Sequence, residues 1–284
     1  MFIDSHCHIF TQRIVENMKA RPTMVRELKL NVNDAVPRLA PKALEEYAEA
    51  NGIDLCLLLP TAAPHKVQTE NNRFIGFTRD FPRLRTLGTL HPMMRNLSDE
   101  ILRVFDLGIP GFKFSSFSQR FDLSSPEVGT MLAQVERLAL ARGIRPVLVF
   151  DTFVRADFYF SADPAHLTTP AKLGELVHRY PGIVFIGAHM GGLLADFDEL
   201  RRSLIPTPNL YLDTSNAAHT LKDDHFIELL RNFGPSNVLF GTDWPWFVHV
   251  AESRKIRSLL VNAGYDESDQ AAVFGGNALR LFGF

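Results

Sequence analysis

The sequence has few cysteines, no long hydrophobic run and no excess of charge of one sign. Its two cysteines, Cys7 and Cys56, are too few for a disulfide framework or a zinc ribbon. The longest stretch without a charged residue, 180–195, is too short and too interrupted by glycine to span a membrane. The N-terminus also lacks the basic and apolar segments of a signal peptide. We therefore expect a protein of a reducing, cytoplasmic setting with no membrane association.

The charge balance is close to neutral, with 30 basic and 32 acidic residues and a formal net charge of -2. This balance argues against the broad basic surface that binds nucleic acid. Hydrophobic residues make up 46% of the 284 residues, which is enough for a large core and too much for a disordered chain.

Short, nearly continuous apolar runs recur along the chain, as in strands that are buried on both faces of a parallel sheet. The predicted strands are Phe2–Ser5, Leu55–Leu59, Arg85–Leu90, Gly111–Phe114, Pro146–Phe150, Ile183–Ala188, Leu210–Asp213 and Val238–Gly241. Segments with helical periodicity separate them, the last of which runs from Glu267 to Leu281.

This alternation predicts a single α/β domain over residues 1–284, folded as a (β/α)8 TIM barrel. The segment Thr11–Leu39 fits no barrel helix and predicts an insertion over the barrel mouth. A doubly wound open sheet is the competing architecture, but it usually places a glycine-rich phosphate loop after the first strand. Here His6-Cys7-His8 stands in that position.

Histidine and aspartate residues cluster at the C-terminal ends of the predicted strands. They are His6, His8, His91, Asp151, His189, Asp213 and Asp243. In a barrel these ends meet on one face, where active sites are built, and a ring of such residues predicts a metal site. Taken alone, each has a plainer interpretation, such as a surface or capping histidine, or an aspartate that forms a turn.

The motifs together resemble those of the amidohydrolase superfamily, in the amidohydrolase-2 branch that includes the aminocarboxymuconate-semialdehyde and resorcylate decarboxylases. The matching segments are Ile3–His8, Gly111–Phe114, Ile186–Gly192, Gly241–Pro245 and Gly276–Phe282. The resemblance covers most of the chain, but the motifs do not specify a substrate.

The resemblance implies one divalent metal ion, most often zinc, held by His6, His8 and Asp243. It implies that His189 is a further ligand or an acid/base group near the ion, and that Asp243 also takes part in catalysis. It further implies a small-molecule substrate and allows a homodimer. Lys113 lies where some relatives carry a carbamylated lysine, but a single metal is usual in this branch, so we assign no carbamylation.

The fifth predicted strand departs from the family pattern, because Phe150 stands where relatives carry a histidine ligand. Three outcomes are open. Asp151 replaces that ligand, in a site that would accept manganese as well as zinc. Alternatively His189 completes the coordination, or the site binds metal weakly. Strand alternation points Phe150 and Asp151 to opposite faces, so a simple exchange would need a bulge or the strand end to re-aim the carboxylate.

The leading hypothesis is a hydrolase in which a metal-activated water attacks an ester, lactone or amide carbonyl. The alternatives are a non-oxidative decarboxylase of an aromatic or unsaturated acid and, less favoured, a binding barrel without catalysis. His91, Lys113, Arg155 and Trp244 are the predicted substrate-binding residues.

Overall fold

The barrel is an entirely parallel sheet that closes on itself. The computed structural model describes all 284 residues. Its strands are β1 (Ile3–Cys7), β2 (Leu55–Leu58), β3 (Leu84–Thr86), β4 (Gly88–Thr89), β5 (Gly111–Phe114), β6 (Val147–Phe150), β7 (Val184–Gly187), β8 (Leu210–Asp213) and β9 (Val238–Leu239). They pair in the orders β1-β2-β3 and β4 through β9, each with its sequence neighbour.

Two features show that the nine segments form one eight-stranded barrel. β3 and β4 are one strand interrupted at Leu87, whose N–H still donates to the Leu58 carbonyl at 3.1 Å. The last strand returns to the first, because the Ser5 N–H donates to the Phe240 carbonyl at 2.9 Å. The predicted TIM barrel is therefore confirmed.

Helices surround the sheet and cover its outer face. The α-helices are α1 (Gln12–Lys19), α2 (Pro22–Glu27), α3 (Pro41–Ala50), α4 (Val67–Asp80), α5 (Leu97–Asp106), α6 (Ser116–Gln119), α7 (Pro126–Leu140), α8 (Ala156–Phe160), α9 (Pro170–Arg179), α10 (Phe197–Ser203), α11 (Ala217–Thr220), α12 (Asp223–Phe233), α13 (His249–Ala263), α14 (Glu267–Ala271) and α15 (Asn277–Phe282). None is long and apolar enough to cross a membrane.

The helices differ from the sequence prediction in several places, of which two are informative. The predicted last helix is broken by a π-helical turn at Ala272–Gly276, where a side chain at Gly275 would meet the Met1 carbonyl oxygen at 2.6 Å. Helix α4 was not predicted, because its buried face includes Asn71, which interrupts the apolar period. The Asn71 side chain is needed there, since it donates to the Thr89 carbonyl and accepts from the Thr89 N–H.

Alternation along the strands sorts side chains between two cores. On β6, Val147 and Val149 lie in the barrel interior, while Leu148 and Phe150 pack outward against the helices. The predicted insertion is confirmed as α1 and α2, which form a third core with apolar residues of the loops at the mouth. This third core makes one wall of the cleft that the strand ends open into.

Candidate metal centre and active site

Three of the predicted ligands converge at the mouth of the barrel. The Nε2 atoms of His6 and His8 are 3.0 Å apart. The Asp243 Oδ1 atom lies 3.8 Å from His6 Nε2 and 3.5 Å from His8 Nε2. All three ligand atoms lie within 4.8 Å of one another, so a single small cation would reach them together. We call this group the ligand triad.

The backbone brings Asp243 to the end of β1. Its N–H donates to the His6 carbonyl at 3.0 Å, and its φ of +65° turns the chain back toward the mouth. A side chain at Gly241 would meet the His6 Cβ at 2.7 Å, so glycine is required for this close approach. The Gly-Thr-Asp sequence therefore positions the carboxylate through its backbone.

Asp213 orients His6, a role that the sequence did not indicate beyond placing this aspartate at a strand end. Its Oδ2 lies 2.9 Å from His6 Nδ1, which leaves His6 Nε2 directed toward the triad. Its Oδ1 accepts hydrogen bonds from the N–H groups of His189 and Ser215. Burial opposes ionisation, but the charges of His6 and His189 and the side-chain hydrogen bonds of His6 and Ser215 hold the pKa of Asp213 well below its ordinary value. A carboxylate behind a ligating imidazole is the usual support of a metal site.

His8 is also fixed by its second ring nitrogen. Its Nδ1 lies 3.2 Å from the Leu59 carbonyl, and its ring stacks on Phe10 at a centroid distance of 4.6 Å. Burial, together with the neighbouring charges of His6 and Lys113, lowers the pKa of His8 well below its ordinary value. The ring is therefore neutral at neutral pH, as a metal ligand must be.

His189 lies beside the triad but is not part of it. Its ring centroid is 5.0 Å from that of His6, and its Nδ1 lies 2.8 Å from the Ser215 carbonyl. The residue lines the inner part of the cleft. Whether His189 also ligates the ion stays a prediction.

At the end of β6, Phe150 and Asp151 face opposite ways. Phe150 is buried against the helices and stacks on Phe114 at 5.0 Å. A histidine at position 150 would point away from the triad, so the phenylalanine removes no ligand from this site. Asp151 continues the inward series of Val147 and Val149 and lines the cleft, without a bulge. Its carboxylate accepts from Ser115 Oγ at 3.2 Å and lies outside the triad, so its role as a ligand stays a prediction.

Lys113 brings a buried cation to the same cleft. Its side chain is 1% exposed, and its Nζ has no hydrogen-bond partner in the protein. Burial lowers the pKa of Lys113, and the carboxylates of Asp151, Asp213 and Asp243 oppose that shift. The charge of this ammonium group is therefore balanced by nearby carboxylates, while its hydrogen-bond donors are not used by the protein.

The cleft has an outer and an inner part that share several residues, among them His8, Phe10 and Asp151. The outer part encloses about 630 Å³ and includes Lys113, Arg120 and several polar side chains. The inner part, of about 130 Å³, is mostly apolar and lies beneath the insertion. His189, Asp243, Asn216 and Trp246 lie along this inner part, which we call the inner pocket.

Three predicted substrate-binding residues are not in the cleft. His91 Nε2 lies 2.9 Å from the Gln119 carbonyl and its Nδ1 accepts from the Met93 N–H, so both ring nitrogens are used by the backbone. Trp244 packs outward with 1% exposure and donates to the Arg38 carbonyl, and Trp246 occupies the cleft instead. These two predictions are wrong because Trp244 packs in the outer layer and His91 is held by backbone groups outside the cleft.

Arg155 is the third, and it pairs with the insertion rather than with the cleft. Its guanidinium donates to Glu27 at 2.8 Å and lies over the rings of Phe158 and Tyr159. Arg155 was predicted to bind a substrate acid, but its guanidinium is already paired with Glu27 of α2.

Comparison with known proteins identifies the family of this chain. The family model described as amidohydrolase matches residues 3–284. The chain belongs to the amidohydrolase family. This is an enzyme family of hydrolases and decarboxylases, so membership alone does not fix the reaction of this chain.

Solved structures of hydrolases and of decarboxylases share this fold. A manganese-bound 5-carboxyvanillate decarboxylase of Novosphingobium aromaticivorans has a TM-score of 0.70 at 15% identity, covering 100% of this chain and 96% of that one. A probable 2-pyrone-4,6-dicarboxylic acid hydrolase of Acinetobacter baumannii has a TM-score of 0.67 at 13% identity, with 100% and 99% coverage. A zinc-bound amidohydrolase of Burkholderia multivorans has a TM-score of 0.67 at 16% identity, with 100% and 99% coverage.

The donor set of the triad fits the metals of these amidohydrolases. Two imidazole nitrogens and a carboxylate oxygen suit Zn²⁺, and Mn²⁺ also accepts such a set. His6 and His8 each have their second nitrogen hydrogen-bonded, which leaves one nitrogen apiece for the ion.

Proposed function

We propose that the protein is a metal-dependent hydrolase that cleaves an ester, lactone or amide bond of a small molecule. The observation that carries the proposal is Lys113, a buried cation without a protein partner beside the ligand triad. Hydrolysis develops negative charge on the carbonyl oxygen, and a fixed cation in a water-poor site stabilises that charge. Decarboxylation disperses the charge of a carboxylate instead, so a cation beside the carboxylate would stabilise the starting state.

His6, His8 and Asp243 would hold one divalent ion, most often zinc, with manganese as the alternative. The ion supplies Lewis acidity, which polarises a carbonyl and makes a water molecule nucleophilic at neutral pH. Asp151 would be an additional oxygen ligand from β6. Replacing Asp151 with alanine and measuring metal content tests this role, since unchanged stoichiometry and affinity would exclude it.

The protein groups around the triad would carry the proton transfers. Asp243 would accept the proton of the attacking water and pass it to the leaving group. His189, held at Nδ1 by the Ser215 carbonyl, would stabilise the developing oxyanion or donate a proton. Lys113 Nζ donates to the developing oxyanion. The apolar inner pocket excludes water from the body of the substrate.

The test is turnover of an ester and lactone panel by the protein after chelation and after reloading with zinc or manganese. We expect activity only in the metal-loaded protein. Lys113→Met should lower kcat roughly a hundredfold with little change in KM, by analogy with loss of one oxyanion donor. The control is Lys255→Met, which removes an exposed lysine paired with Asp223. Equally slow hydrolysis with and without metal would contradict the proposal.

The second candidate is a non-oxidative decarboxylase, and the aromatic wall of the cleft favours it. Phe10, Phe117 and Phe160 line both parts of the cleft, and Phe153 and Trp246 complete the inner pocket. Such a wall suits an aromatic acid, and the manganese-bound decarboxylase of the same fold holds a nitrobenzoic acid. Release of carbon dioxide from aromatic hydroxy acids, without hydrolysis of the ester panel, would select this function.

A further inference from the structure

Asn216 is a buried amide that the protein itself leaves without partners. It follows β8, is 1% exposed, and lines the inner pocket with His189, Asp243 and Trp246. Neither Nδ2 nor Oδ1 makes a hydrogen bond to the protein. It stands at the start of α11, yet its side chain does not cap that helix.

Such an arrangement costs stability, because a buried donor and acceptor have lost water and gained nothing in exchange. The backbone at Asn216 has a φ of +55°, which glycine would adopt more easily. Asparagine is one of the few side chains that tolerate this conformation, but the conformation does not account for an amide whose two polar atoms both lack partners in a residue that lines the inner pocket.

The chemistry of the amide limits what it can bind. Nδ2 donates and Oδ1 accepts, so one neutral group that both accepts and donates satisfies the pair. A carboxylate only accepts and would leave Oδ1 without a donor. The remaining wall of the inner pocket is mostly apolar and aromatic, which suits a ring that carries a hydroxyl.

We propose that Asn216 is a specificity-determining residue that hydrogen-bonds a hydroxyl group of the substrate in the inner pocket. The inference rests on the proposed function, because it takes this cleft as the substrate site. It holds for either reaction, since a hydroxylated aromatic acid is the product when an ester of that acid is hydrolysed and is a substrate of decarboxylation.

The experiment measures binding rather than turnover. The probes are benzoate and its 2-, 3- and 4-hydroxy derivatives, titrated calorimetrically into zinc-loaded protein. We expect the wild type to bind at least one hydroxybenzoate about tenfold more tightly than benzoate. Asn216→Gly, which suits the positive φ and removes the amide, should abolish that preference and leave benzoate affinity unchanged. Asn216→Asp, which retains only acceptors, should keep part of it.

Asn96→Gly is the matched control, because Asn96 also begins a helix at a φ of +56° without capping it, and is exposed. It should keep the hydroxyl preference. Zinc content and thermal stability of Asn216→Gly should equal or exceed those of the wild type, whereas a structural role would lower them.

A wild type without hydroxyl preference, or a preference that survives in Asn216→Gly, would overturn the inference. Failure of the proposed function would appear differently, as absence of metal-dependent turnover.

Discussion

The two faces of β1 carry two clusters of metal-ligand residue types that behave differently. The inner cluster is the ligand triad. The outer cluster consists of Cys7, Cys56 and His249, whose ligand atoms also lie within 4.8 Å of one another. Alternation along the strand separates them, since His6 and His8 point into the barrel mouth and Cys7 points toward the helices.

The outer cluster is closed by its own contacts. His249 Nε2 forms an ion pair with Asp4 Oδ2 at 2.7 Å, and Cys56 Sγ lies 3.9 Å from the same nitrogen. The Asp4 carboxylate also accepts from the Thr242 N–H and hydroxyl. Neither the cysteines nor His249 reach the cleft. Matching residue types therefore bring ligand atoms together on both faces, but only the inner group opens to a cavity, so we expect metal only there.

The largest expected effect on activity comes from removing a residue of the ligand triad. Asp243→Ala should lower the metal-dependent activity roughly a thousandfold, because it removes a ligand and the proton acceptor together, worth about 4 kcal/mol of transition-state stabilisation. Activity is measured against the exposed Asp198→Ala variant. Full activity of Asp243→Ala with restored metal content would show that Asp243 is neither a metal ligand nor the proton acceptor.

Breaking the outer group should change stability and leave metal binding intact. His249→Phe leaves the Asp4 carboxylate buried without its cation, which should lower the free energy of unfolding by about 3 kcal/mol. Urea denaturation gives this value, and elemental analysis should still find one metal per chain. A lower metal content in a folded His249→Phe protein would instead make the outer cluster a metal site.

The outer group also predicts a pH dependence. Burial alone would lower the pKa of His249, but the charge and hydrogen bond of Asp4 raise it to about 10. The folded state therefore holds a proton that the unfolded state releases near pH 6.5, so this stabilisation is complete below pH 6.5 and is lost as pH rises toward 10. Between pH 7 and 9 the gap in unfolding free energy between wild type and His249→Phe should narrow by about 2 kcal/mol. A constant gap would mean that His249 is neutral.

The same comparison shows what the sequence could and could not predict. Strand order, the insertion and the positions of His6, His8 and Asp243 follow from apolar runs and from what stands at their ends. The direction of a side chain near a strand end does not, because the chain turns there. Trp244 and Trp246 stand two positions apart, yet only Trp246 faces the cleft. The hydrogen-bond partners of a side chain cannot be predicted from residue type either. His91, for example, has both ring nitrogens hydrogen-bonded to backbone groups.

The smallest expected effect on the ligand triad comes from Asp213, because this residue contacts His6 and does not line the cleft. Asp213→Asn keeps the shape of the side chain but removes the charge that orients His6 Nδ1–H. We expect metal affinity to fall about tenfold, as for other supports behind a ligating histidine. Asp122→Asn, which loses a half-exposed pair with Lys172, is the control. Unchanged affinity in Asp213→Asn would mean that Ser215 Oγ, 3.1 Å from the same nitrogen, suffices to hold the ring.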